Sequence, residues 1–194
     1  MKKENSINTD KSKIKGLLNE VFEEIESRSL GNSEAGKTMS FYDLDAMTQG
    51  LSPGNLYVIG GRPAMGKTSF VLNIAKNIGQ IHNLPICFFS LETSKKMLSY
   101  RLLSMETGIE SGRLKTGRLT QEEWPILGEA IYFLSENPIY LIDKPSIQVS
   151  EIYQFCEEVK NTHKKDLGVI IIDFLQLMED KSLGKNISRE DEIS

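Results

Sequence analysis

The stretch Gly61-Arg62-Pro63-Ala64-Met65-Gly66-Lys67-Thr68 has the residue types and spacing that cradle phosphate groups. It fits the pattern G-x-x-x-x-G-K-[ST] of a phosphate-binding P-loop. Gly61 and Gly66 let the backbone take conformations that a side chain would obstruct, as close approach to a phosphate requires. Lys67 would reach the β- and γ-phosphates as a point charge, and the Thr68 hydroxyl would ligate Mg²⁺.

The flanking elements are those that would position such a loop. Leu56, Tyr57, Val58 and Ile59 form a short apolar run that reads as a buried strand, and Phe70, Val71, Ile74, Ala75 and Ile78 recur at helical spacing. The loop thus heads a helix, where backbone N–H groups lack intrahelical partners and the helix dipole adds partial positive charge.

Two acids end apolar strands further on. Ile86-Cys87-Phe88-Phe89 runs into Ser90-Leu91-Glu92, and Val169-Ile170-Ile171-Ile172 runs into Asp173. Strand ends at the carboxyl edge of an open α/β sheet are where ligands bind. There Glu92 would orient or deprotonate the water that attacks a γ-phosphate, and Asp173 would serve Mg²⁺. The β-branched run before Asp173 predicts a strand at the centre of a parallel sheet, buried on both faces.

Between these strands, Ser94 to Thr107 reads as a helix with Met97, Leu98, Leu102, Leu103 and Met105 toward the core. Arg113, Lys115 and Arg118 read as a short basic loop on the solvated surface. Thr120-Gln121-Glu122-Glu123 is a capping box opening another helix, with Trp124 and Leu127 assigned to the core. Ile139 to Asp143 is a third strand, and Ile152, Tyr153, Cys156 and Val159 mark an amphipathic helix. Strand and helix alternate throughout, so the expected fold is α/β with a mostly parallel sheet flanked by helices.

The N-terminal part differs in character. Residues 1–12 are polar and charged and read as a disordered tail. From Lys13 to Ser29, Ile14, Leu17, Leu18, Val21, Phe22 and Ile25 fall on one helical face. Leu30 to Gly36 then has the composition of a flexible linker. An apolar stripe held outside a domain must be buried on its own domain or on a neighbouring subunit.

Composition excludes several classes. A net charge of -4 over 194 residues argues against a surface that coats nucleic acid wholesale. Cys87 and Cys156 are far apart and read as small core residues, with no disulfide framework or metal-ligand spacing. His82 and His163 lack neighbours suggesting a metal site. No apolar run approaches the roughly 20 residues of a membrane span, and no signal-peptide core is evident. The expected setting is intracellular, either bacterial cytoplasm or an organellar stroma or matrix.

Taken together, the motifs resemble the ATPase domain of replicative DNA helicases of the DnaB type, a RecA-like branch. The resemblance is carried by Asp43-Leu44-Asp45, Gly50 to Gly54, Gly61 to Thr68, Phe89 to Glu92, Arg113 to Thr120 and Ile172 to Met178. It implies ATP and Mg²⁺ as cofactors, Glu92 and Lys67 as catalytic residues, residues 61–68 as the nucleotide cradle, and Thr68 and Asp173 at the metal. It also implies a homo-hexamer in which the helix carrying Ile14 to Ile25 docks on the adjacent subunit. Single-stranded DNA would be bound by loops such as the one after Met178, with primase or a helicase loader as further partners. Gln176 follows Asp173 in the same segment without an assigned role. On this reading residues 13–36 are a linker and 37–194 a partial ATPase domain, without the family's N-terminal domain and arginine finger. Two other readings stay open: a non-catalytic nucleotide-binding module or ring-interacting fragment, and another RecA-like ATPase.

Overall fold

In a computed structural model of the chain, residues 14–31 and 36–174 are described. The N-terminal tail, part of the linker, Gln176 and the loop after Met178 lie outside the described residues. The chain divides into two units, Met1–Asn55 and Leu56–Ser194.

In the first unit, α1 (Ile14–Ser29) forms as its period demands. Its apolar stripe stands in solvent, with Ile14 69% exposed and Phe22 66%. A short helix, α2 (Tyr42–Thr48), is held by Asp45, which reaches back over the entering chain. The Asp45 carboxylate accepts hydrogen bonds from the Thr38 hydroxyl (2.6 Å) and from the amides of Met39 (2.9 Å) and Phe41 (3.2 Å). Lys37 and Leu51 close the segment with an antiparallel bridge.

Partial burial works against the Asp45 charge. The donors from Thr38, Met39, Phe41 and Ser40 outweigh it and hold the carboxyl below the usual range. A depressed folded-state value stabilises the segment above the ordinary Asp value of about 3.9. That contribution is lost as pH falls through the folded value. An NMR titration should show the Met39 and Phe41 amides moving with a midpoint below about 3.9; a midpoint at or above it would remove Asp45 from this role.

The second unit is built on a parallel sheet of order β2-β1-β3, with β1 at Ile86–Ser90, β2 at Ile139–Ile142 and β3 at Val169–Asp173. Every β1 residue is buried. Its register places Phe89 beside Ile142 and Ile172, and Ser90 beside Asp173. Alternation along β1 sends Cys87 and Phe89 to one face. There they join Leu91, Ile147, Ile152, Cys156 and Val159, several from α7 (Val149–His163). The helix α3 (Lys67–His82) packs on the sheet through buried Leu72, Ile74, Ala75 and Ile78. Both cysteines are free and buried in the core, as their apolar settings predict. The hydrogen bond of Cys87 to the Cys156 sulfur, together with burial, pushes the Cys87 thiol up.

Several elements depart from expectation for physical reasons. Leu56 to Ile59 belongs to none of the strands among the described residues. Its exposure alternates, 89% at Leu56 and 82% at Val58 against 40% at Tyr57 and 41% at Ile59, as in extended chain. An apolar run becomes a strand only where a neighbouring edge completes its ladder, and the described sheet does not extend to it. For the same reason β3 is an edge strand rather than the centre, and Ile170 is 46% exposed. An apolar run reports contact on both faces but not place in the strand order, and β1 takes the centre.

Arg113 and Lys115 lie not in a loop but in α5 (Ser111–Thr116), which follows α4 (Lys95–Thr107). Arg113 donates both terminal nitrogens to the Glu123 carboxylate, at 2.7 and 2.6 Å, and its Nε to the Arg118 carbonyl. Glu123 also accepts the Thr120 amide at 2.8 Å, one half of the predicted capping box. Arg113 and then Thr120 hold its carboxyl below the usual range. Trp124 is 57% exposed rather than core. It opens α6 (Glu123–Ser135), a helix apolar around most of its circumference, so spacing could not say which side turns inward. Ala130 is the side chain buried there. His163 ends α7 and shares a 2.7 Å hydrogen bond with the Tyr140 hydroxyl.

Candidate nucleotide site

The phosphate turn begins at Gly61 and hands over to α3 at Gly66. Gly66 is the N-cap, with φ 83°, a left-handed conformation that glycine adopts without strain. Ala64 takes φ 63°, so the turn contains a left-handed residue that its sequence did not signal. Gly61 needs no such freedom: it is not among the positive-φ glycines, and a Cβ there would meet the Lys67 stem at an ordinary 3.5 Å. Gly61 through Gly66 are exposed, which leaves the turn open to a ligand.

Lys67 folds back over the turn. Its Nζ donates to the carbonyls of Gly61 (2.8 Å) and Arg62 (3.1 Å), so the ammonium is already held above the turn. The Thr68 hydroxyl donates to Asp173 Oδ2 at 2.7 Å, joining the first turn of α3 to the end of β3. The Asp173 carbonyl in turn accepts the Leu91 amide at 2.8 Å, which fixes the chain just before Glu92. Glu92 stands exposed at this same carboxyl edge of the sheet.

The structure therefore brings Thr68 and Asp173 into contact, holds Lys67 on the turn and sets Glu92 at the same sheet edge. Thr68 and Asp173 offer adjoining hard oxygen donors. That fits Mg²⁺, which takes few protein ligands and keeps waters and phosphate oxygens. Among the described residues no cluster of three or more His, Cys, Asp or Glu offers a fuller cage. One acid at this edge escaped notice in the sequence. Asp143, absorbed there into the third strand, lies just past β2 and accepts the Lys95 amide at 2.9 Å. An acid closing an apolar strand, as at Asp173, was the available signal.

A helix headed by a phosphate turn and tied to a strand-end aspartate on a parallel sheet defines a P-loop fold. A solved structure of an ATPase domain superposes with a TM-score of 0.83 at 32% identity, covering 93% of this chain and 62% of that one. A second, of a DnaB-like replicative helicase and its interactions with primase, gives 0.80 at 32% identity, covering 98% and 43%. Residues 36–194 match the DnaB-like helicase C terminal domain, and the chain belongs to that family. The replicative DNA helicase DnaB of Nostoc sp. is 48% identical over 81% of this chain, which spans 18% of that relative. A probable replicative DNA helicase of Trieres chinensis is 40% identical over 92% of the chain, which spans 39% of it. Among the described residues, no helix is long and apolar enough to cross a membrane.

Proposed function

We propose that this chain is the nucleotide-binding part of an ATP-dependent replicative DNA helicase of the DnaB type. The observation that carries the reading is the 2.7 Å contact between Thr68 and Asp173 beside the phosphate turn. Residues 61–68 would wrap the phosphates of ATP with backbone amides, and Lys67 would leave the Gly61 and Arg62 carbonyls for the γ-phosphate. Thr68 and Asp173 would hold Mg²⁺, which when bound neutralises charge on the phosphate oxygens. Glu92 would orient the attacking water and accept its proton as the oxygen bonds to the γ-phosphorus and ADP leaves.

Residues 13–36 serve as a linker in this reading and 37–194 as part of the ATPase domain. The solvent-facing stripe of α1, with Leu18 57% and Ile25 58% exposed, supports docking on an adjacent subunit of a homo-hexamer. Single-stranded DNA in the ring channel, primase or a loader, and a bacterial or organellar interior complete the proposal.

The test is steady-state ATP hydrolysis by the purified chain, with and without single-stranded DNA, beside Glu92→Gln. General-base removal should cut turnover by roughly 10²–10⁴, with nucleotide affinity kept. A Glu92→Gln chain that turns over like the parent would end the Glu92 assignment. Tight ATP binding without hydrolysis by the parent would favour the non-catalytic module, for which the exposed α1 stripe supplies a ring-docking element.

A further inference from the structure

We propose that Asp143 is a positioning residue for the β1–α4 connection that carries Glu92. The significance for hydrolysis rests on the reading of Glu92 given above.

The connection runs from Leu91 to Lys95 and is fastened at both ends to neighbouring strands. At its start the Leu91 amide donates to the Asp173 carbonyl of β3 at 2.8 Å. At its far end the Lys95 amide donates to Asp143 Oδ2 at 2.9 Å, and Lys95 Nζ lies 3.6 Å from Asp143 Oδ1. Between them Thr93 donates its amide to Ser90 Oγ at 3.1 Å, a bond back to the last residue of β1 rather than to a neighbouring strand. Glu92 thus spans a short bridge whose abutments are β3 on one side and the end of β2 on the other.

The register explains why Asp143 can do this. Phe89 pairs with Ile142, so the residue after β2 emerges level with the end of β1, where the chain turns into α4. Lys95 is the first residue of α4, with Ser94 as its N-cap. A carboxylate there meets an amide without an intrahelical acceptor and complements the positive end of the helix dipole. The Lys95 amide, against opposition from partial burial and with help from the Lys95 charge, holds the Asp143 carboxyl below the usual range. Ser94 already caps the helix through the Met97 amide. The bond from Asp143 therefore adds a tie from α4 to a different strand, and its consequence falls on the segment in between.

Amide hydrogen exchange and ATP turnover of the full chain, as Asp143→Ala and Asp143→Asn, test this. Asparagine keeps an oxygen acceptor for the Lys95 amide, and alanine removes it. In Asp143→Ala, exchange across 91–95 should rise about tenfold or more while Cys87 to Phe89 stay unchanged, and Asp143→Asn should restore most of the protection. Where the parent hydrolyses ATP, kcat should fall about tenfold with KM unchanged, since misplacing a reacting group costs rate rather than ground-state binding. Unchanged exchange at 91–95, a rise spread evenly over the unit, or a loss carried by KM would each overturn the proposal. If Glu92→Gln leaves turnover intact, the Glu92 reading fails separately, and the exchange result still decides whether Asp143 holds the connection.

Discussion

Alanine in place of Lys67 is expected to weaken binding of an ATP analogue by roughly 10–100-fold, the range for losing a charge-assisted hydrogen bond. The fold should hardly notice. Lys67 Nζ donates to the Gly61 and Arg62 carbonyls, but the site is exposed, and water replaces such bonds at little cost. Gly66 and Ala64 set the turn by their own backbone conformations, independently of that side chain. The asymmetry between a large binding effect and a small melting shift is the diagnostic feature. Titration with a fluorescent ATP analogue and a thermal melt on the same sample would read both. A dissociation constant within twofold of the parent would remove Lys67 from the phosphates. A large drop in melting temperature would recast it as a structural residue. Arginine at this position should not rescue binding, because a planar guanidinium cannot take the place of a compact ammonium over the turn.

The second large effect concerns stability. Gly168→Ala should destabilise the sheet unit by about 1–3 kcal/mol, the usual cost of overpacking. A Cβ at Gly168 would stand 2.9 Å from Ile78 Cγ2, Ile86 Cδ1 and Leu84 Cβ at once. Ile78 and Ile86 are fully buried, and the Gly168 amide is tied to the Pro85 carbonyl at 2.9 Å, so neither side yields readily. Ile86→Val deletes one of the three obstructing atoms. The double variant should therefore recover part of the loss, a coupling of about 0.5–1 kcal/mol within the range for residues in contact. Urea unfolding of the four proteins of this cycle provides the measurement. A Gly168→Ala chain within about 0.5 kcal/mol of the parent, the ordinary range for surface changes, would show that α3 and β1 separate more easily than their packing suggests.

The site was legible where chemistry is local in sequence. Gly61 to Thr68 reads directly because the turn and the head of its helix are contiguous. Glu92 and Asp173 are assigned to the site because each acid follows an apolar run on a chain that carries such a turn, and both stand at the carboxyl edge of the sheet. What joins them was not legible. Thr68 and Asp173 are 105 residues apart, and they meet because α3 packs against β3, the strand that Asp173 closes. Asp143 carried the same local signal, an acid closing an apolar run, but its partner amide lies three helices away along the chain.

The fold misled where apolar pattern was asked for more than it contains. β3 is as β-branched as any central strand, yet it lies at the edge, because composition records faces and not neighbours. Leu56 to Ile59 has the alternation of a strand but lacks a ladder. Arg113 looked like one of three loose cations, and its forked pairing with Glu123 depends on how α5 and α6 meet.

Asp173 has a double attachment whose consequence is mechanical. Its side chain grips the head of α3 through Thr68, and its carbonyl grips Leu91, so the residue is a two-armed linkage whose arms share one Cα. The Thr68 hydroxyl gives its proton to the Asp173 carboxylate and keeps its oxygen lone pairs for a cation, so that tie need not open to admit one. Movement of that arm is delivered to the other over the length of one residue. A shift of Asp173 would therefore reach the head of α3 and the chain just before Glu92 together, with no relay of packed side chains between them.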